Sequence, residues 1–261
     1  MTCAIYRAGC LAGLLAVNGI AGAAVLTFET PGEYAANFRA YPSSGQGATV
    51  SQSSNGADND YVIVDRTVGE GATALVALYD TTPDDPNDAW NTFSGGTITV
   101  TWDVMAVSND TSFAVIFVNP ETTGSNKNAM AILNVRATDM DIIRFFPGNP
   151  LTGTGAGSPQ RGTTVSGHAV PMSEFITMTV SYTPATGEMF CSAGSLSASA
   201  TFTESERLAI GDNVAIALRV NDTNAAAGSA PFFDNVTIVP EPGLLGLLGL
   251  SGLLIARRRW A

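Results

Sequence analysis

The stretch Thr97-Ile98-Thr99-Val100-Thr101-Trp102-Asp103-Val104 puts an apolar side chain at every second position. Successive side chains of an extended chain point to opposite faces. The spelling therefore predicts a β-strand with one face in a core and one polar face. The same period returns where Ile176, Met178, Val180 and Tyr182 alternate with Thr177, Thr179, Ser181 and Thr183. It returns again where Val214, Ile216, Leu218 and Val220 alternate with Asn213, Ala215, Ala217 and Arg219. An amphipathic helix needs apolar residues three and four apart, and no long segment has them. Trp102, on the apolar parity, is expected in the core.

Working outward, further strands are expected at 25–30, 60–66, 73–79, 112–118, 129–136, 141–146, 187–192, 196–202 and 232–239. Segments 73–79 and 112–118 are apolar on both parities, which predicts burial on both faces. Ser53-Ser-Asn-Gly56, Gly124-Ser-Asn126, Gly148-Asn-Pro150 and the Gly/Ser/Thr-rich stretch 151–167 punctuate the runs as turns and loops. About twelve short strands predict an all-β, two-sheet antiparallel β-sandwich of jelly-roll type. One helical turn is expected at 204–210, because Thr203 and Glu206 have capping-box spacing.

The two ends differ from this body. Residues 1–23 carry Arg7, an apolar run from Leu11 to Ile20 and Ala21-Gly22-Ala23. That is the order of a signal peptide with its cleavage site. A buried N-terminal helix is the alternative. Cleavage after Ala23 removes Cys3 and Cys10 and leaves Cys191 alone, so the body 24–238 has no internal disulfide. Cys191 is expected as a small buried hydrophobe or as an intermolecular thiol.

Charge narrows the partners. Four of the 12 basic residues lie in the terminal segments, so eight face 23 acids between Glu29 and Glu241, a formal charge of −15. Such a surface argues against nucleic acid and against anionic lipid. It suits a soluble surface protein or one that binds divalent cations.

The C-terminal segment 239–261 has three parts. Pro240-Glu241-Pro242 opens it, an apolar Gly/Leu run fills 243–256, and Arg257-Arg258-Arg259 stops it. The run is short for a stable span, and the arginines hold that end on the cytoplasmic side. The physical sense is a transient membrane halt, with Pro-Glu-Pro at the outer membrane surface. This tail resembles the PEP-CTERM sorting signal of Gram-negative bacteria. The resemblance implies an exosortase-type processing enzyme as partner and an inner-membrane helix before processing. It also implies a body associated with extracellular polysaccharide in a biofilm or floc matrix. A plain tail anchor is the other reading, and both export the body.

The body opens with Val25-Leu-Thr-Phe-Glu29 and closes with Phe232-Phe-Asp-Asn-Val-Thr-Ile238. Asp234 shares parity with Phe232, Val236 and Ile238, so its carboxylate is expected to point inward. A lone buried carboxylate is costly unless paired or bound to metal. This pairing of ends resembles carbohydrate-binding-module and lectin-like jelly rolls, whose first and last strands lie side by side. The resemblance implies a structural Ca²⁺ at Glu29 and Asp234. A hydrogen bond from Asp234 to a turn, or a bulge there, is the competing reading.

Motifs for chemistry are weak. His168, the only histidine, lies in a Gly-rich loop without a nucleophile-elbow motif. Asp139 and Asp141 would share a strand face, as would Glu204 and Glu206 if extended. Asp80, Asp84, Asp85 and Asp88 form an acidic loop beside Trp90, without an EF-hand pattern. The expectation is a non-enzymatic, exported structural or adhesive protein associated with polysaccharide. The alternative is a secreted polysaccharide hydrolase or lyase on the same fold. A display scaffold without small ligand is a third possibility.

Overall fold

A computed structural model describes residues 24–29, 31–33, 38–40, 49–54, 60–65, 72–78, 92–94, 96–108, 111–119, 128–135, 141–147, 161–167, 170–222 and 230–240. In chain order the strands begin with β1 (Ala24–Leu26), β2 (Phe38–Ala40), β3 (Thr49–Ser54), β4 (Asp60–Asp65), β5 (Ala72–Leu78) and β6 (Thr92–Ser94). They continue with β7 (Ile98–Met105), β8 (Thr111–Val118), β9 (Asn128–Val135), β10 (Asp141–Pro147), β11 (Arg161–Gly167) and β12 (Ile176–Thr183). The last are β13 (Glu188–Ala193), β14 (Leu196–Thr201), β15 (Asn213–Asp222) and β16 (Phe232–Pro240), with helix α1 (Glu204–Ile210) between β14 and β15.

Two antiparallel sheets form the expected sandwich. Sheet I runs β14-β13-β12-β7-β16-β4-β3, with β1 also on β16. Sheet II runs β11-β10-β9-β8-β15-β5-β2, with β6 also on β15. The first and last strands lie side by side, Val25 opposite Thr237. β7 shows the strict alternation read from its sequence, with Ile98, Val100, Trp102 and Val104 fully buried.

Aromatic rings bridge the sheets. Trp102 meets Phe113 of β8 edge-on at 6.0 Å and Phe233 of β16 at 5.6 Å, and Phe28 meets Phe233 at 5.9 Å. Near the other end Tyr182 packs on Phe117 and Phe202. Sheet II is also buried on its outer side, where Ala114, Ile116, Val118, Met130, Phe146 and Ala217 form a second apolar cluster. That accounts for the doubly apolar spelling of 112–118. The side chains of β5 lie outside the described residues, so the same expectation for 73–79 has no counterpart here.

Several expectations need correction. The described residues hold sixteen strands rather than about twelve. Segment 161–167, read as loop, is β11, held by β10 through a register shift between Ile143 and Phe145. Its Gly and Ser content hid a strand whose partner supplies the ladder. β2, β3 and β6 also lack the alternation that marked the others. The first strand stops at Leu26 because Phe28 is left-handed (φ 58°), which ends extended pairing. β16 continues through Pro240, which stands opposite Ile98. A proline is tolerated at such a strand terminus.

The helix matches its spelling. Thr203 Oγ1 accepts from the Glu206 backbone N–H at 3.4 Å, and Glu206 Oε2 accepts from the Thr203 N–H at 2.8 Å. Among the described residues no helix is long and apolar enough to cross a membrane. The segment 1–23, read as a signal peptide, and the tail beyond Pro240 lie outside the described residues.

Candidate functional site

Four strands meet at a defect in sheet I. β16 pairs with β7 along one edge. Along the other it pairs first with β4, Phe232 opposite Ile63, and then with β1, Leu26 opposite Val236. Where β4 gives way to β1, β16 carries a bulge. Asp234 stands opposite Asp103 and Thr237 opposite Thr101, so Asn235 and Val236 together face Trp102 alone. Asn235 takes the left-handed conformation (φ 49°) that asparagine tolerates.

The bulge corrects the expected parity of Asp234. Phe233, Val236 and Ile238 are in the core, whereas Asp234 is the cross-strand partner of Asp103. Directly opposed residues share a face, and Trp102 and Val104 take the inner one on β7. Asp234 therefore belongs to the outer side of sheet I with Phe232, although it is only 2% exposed. Simple alternation across 232–238 failed because the extra residue flips every position after it.

The polar groups interlock. Asn235 Nδ2 donates to Asp103 Oδ2 at 2.9 Å and to Asp234 Oδ2 at 3.3 Å. The Asn235 backbone N–H donates to Asp234 Oδ1 at 2.7 Å. Thr177 Oγ1, from β12, donates to Asp103 Oδ1 at 2.7 Å. The Asp234 carboxyl is pushed up to about 6 by burial and by the negative charges of Asp103, Glu29 and Asp60, against the Asn235 N–H.

Next to this polar row lies an aromatic one. Tyr61 of β4 contacts Phe232 at a centroid distance of 5.0 Å and Phe175 at 6.2 Å. Phe232 stands opposite Met105. Phe175 reaches the group because residues 170–175 cross the end of β7, where the Ser173 N–H donates to the Ala106 carbonyl at 2.7 Å. The Val64 N–H donates to Pro231 O at 3.1 Å and fixes β4 against the start of β16. Phe175 is 36% exposed and Met172 38% exposed. Phe232 and Asp234 are two residues apart on β16, so the aromatic and polar rows are about 7 Å apart there. Stacking surface and directional hydrogen-bond groups thus share one outer face. That combination holds a ring with a hydroxylated rim.

Of the residues expected to hold Ca²⁺, Asp234 is in this cluster. Glu29 is exposed just beyond β1 and near enough to raise the Asp234 carboxyl. Among the described residues no three acid, histidine or cysteine side chains converge to hold a metal. The space between Asp103 and Asp234 is spanned by an amide N–H₂, which donates where an ion would need oxygens. As arranged, this donor set does not fit Ca²⁺.

Of the sorting residues, Pro240 is the buried end of β16, while Glu241, Pro242, Arg257, Arg258 and Arg259 lie outside the described residues. So do Asp80, Asp84, Asp85, Asp88, Trp90, Asp139 and His168. Asp141 opens β10. Glu204 and Glu206 belong to the first turn of α1. Sequence reading missed Tyr61, Phe175 and Phe232 as a group, and Asp103 with Thr177. The available signal was a lone acid on the otherwise Thr-lined polar parity of 97–104.

The chain matches no known protein-family model and no curated protein. Solved structures are similar in fold. Peanut lectin with a nine-residue peptide aligns with a TM-score of 0.53 at 9% identity, over 84% of this chain and 98% of that one. The lectin UEA-II complexed with galactose aligns with a TM-score of 0.52 at 11% identity, over 83% and 97%. An endo-β-galactosidase from Clostridium perfringens that releases GlcNAcα1-4Gal aligns with a TM-score of 0.51 at 12% identity, over 85% and 63%. At these identities the likeness establishes a lectin-like jelly-roll fold and nothing about the ligand.

Proposed function

We infer that the protein is an exported surface or extracellular-matrix protein that binds polysaccharide without cleaving it. Its tail serves as an exosortase-type sorting signal. The observation that supports glycan binding most is the Tyr61–Phe175–Phe232 cluster, with Phe175 exposed and Tyr61 and Phe232 half-buried, bordered by Asp103, Asn235 and Thr177 on one face of a lectin-like sandwich. Aromatic faces take the C–H side of a pyranose, and the carboxylate and amide take its hydroxyls. Such a site gives modest affinity per sugar, and a polymer raises it through repeated engagement.

Binding to immobilised polysaccharides tests this directly. Phe175→Ala is expected to weaken retention by about tenfold while leaving the melting temperature nearly unchanged, because Phe175 is part-exposed. Retention untouched by Phe175→Ala and Tyr61→Ala would remove the platform from the function. Export and sorting are read from the intact mass of the protein recovered from the surface of its host. A mass of residues 24 to about 242 is expected, and a retained Arg257–Ala261 end would overturn sorting.

One observation favours the hydrolase reading. Asp234, with its carboxyl raised to about 6, faces Asp103, and glycosidases use paired carboxyl groups of which one is raised. Asp234 is only 2% exposed, however, which keeps it from a substrate. Release of reducing ends that is lost in Asp234→Asn would decide for catalysis.

A further inference from the structure

The platform's surroundings bear on which glycan it takes. Its aromatic members carry no charge, and among the described residues the ionisable groups assigned to its surroundings are acids. Asp103 lies in the polar row beside the rings. Asp60 adjoins Tyr61 in sequence and, with Glu29, acts electrostatically on Asp234. Glu174 is exposed next to Phe175. The arginines whose side chains are described stand elsewhere: Arg144 on β10 and Arg219 on β15 in sheet II, and Arg207 on α1, where Nη1 donates to the Pro184 carbonyl.

We propose that this platform selects a polymer of free amino sugars, with protonated 2-amino groups, over neutral N-acetylated or uronate polymers. The assignment rests on glycan binding at the platform. The part-exposed aromatic surface provides the seat, and the charge around it chooses the occupant. A sugar stacked by its C–H face on Phe175 carries its 2-ammonium at the rim, where the edge of the neighbouring Tyr61 ring, inclined at 60°, leaves it free to turn toward the acids. The same ammonium lies within reach of the acidic row about 7 Å away. Asp103 already accepts one hydrogen bond at each oxygen, from Thr177 and from Asn235, and each oxygen keeps a second lone pair for the incoming N–H. A uronate carboxylate in the same seat would meet like charges. An N-acetyl group gives stacking without the charge.

The test is titration of the purified protein with hexamers of glucosamine, N-acetylglucosamine and a uronic acid at pH 5.5, in low and high salt. Glucosamine hexamer is expected to bind about tenfold tighter than its N-acetylated form, with the difference shrinking in high salt. Glu29→Gln and, separately, Glu174→Gln, both exposed and outside the hydrogen-bonded row, are expected to reduce that preference while leaving the N-acetylated affinity in place. Equal or reversed preference, with binding still weakened by Phe175→Ala, would overturn the amino-sugar assignment and keep the glycan reading. A glucosamine preference unchanged in both acid variants would also overturn it, since the charge would then act elsewhere. Absence of binding to all three, or binding indifferent to Phe175→Ala, would overturn both.

Discussion

Asp103 and Asp234 stand directly opposite each other on β7 and β16, their carboxylates joined by the side-chain amide of Asn235. Two like charges face each other across a strand pair, an arrangement that is destabilising unless something holds it. Here the left-handed bulge residue donates to both. Burial first, and then the neighbouring acids, still leave the Asp234 carboxyl raised.

This gives a pH dependence with a definite sign. The Asp234 value of about 6 exceeds the unfolded one of 3.8, so folding takes up a proton between them. The resulting stability is fully present below the unfolded value and is lost as pH rises through about 6. Thermal denaturation of wild type against Asp234→Asn tests this. The variant is expected to flatten the slope between pH 4.5 and 7.5 and to gain about 1–3 kcal/mol at the upper end. An unchanged slope would assign the titration to another group.

Calcium provides a separate check on the amide bridge. With Asn235 Nδ2 between the carboxylates, millimolar Ca²⁺ and EDTA are both expected to leave the melting temperature where it is. A rise of several degrees with Ca²⁺, abolished by Asp234→Ala, would show an ion replacing the amide.

The β12–β13 hairpin depends on one glycine. Gly187 has φ +73°, and a Cβ there would lie 2.9 Å from the Phe202 carbonyl oxygen. The Phe202 N–H donates to Gly187 O at 2.9 Å, so this oxygen cannot move away without cost. Gly187→Ala is expected to destabilise by about 1–3 kcal/mol, measured by urea unfolding. A neutral result would mean the turn relaxes freely.

Cys191 is fully buried between strands, and burial pushes its thiol up to about 12. A neutral, enclosed thiol is a poor nucleophile. The native protein is expected to leave this thiol unmodified by a disulfide reagent at pH 8, with stoichiometric reaction in 6 M guanidinium. Fast native labelling at Cys191 would contradict its place in the core.

Sequence alone determined the class of this fold, because burial of one strand face imposes period two on strands such as β7 and β12. Ile98–Val104, Ile176–Tyr182 and Val214–Val220 therefore announced themselves, and so did α1, whose capping box is contained within four residues. Trp102 followed from parity, whereas Cys191 had two readings, buried hydrophobe or intermolecular thiol, of which the fold takes the first. What only the tertiary structure decided depends on pairing between distant segments. β11 has no alternation of its own and exists through its hydrogen bonds to β10. The bulge at Asn235 follows from the register of β7, more than a hundred residues away, and it moved Asp234 from the inner face to the outer. Tyr61, Phe175 and Phe232 come from three separate segments, and nothing local marks them as neighbours. Local periodicity records which side of a strand is buried. Which strands lie side by side is a property of the assembled sheet, and the candidate site exists only there.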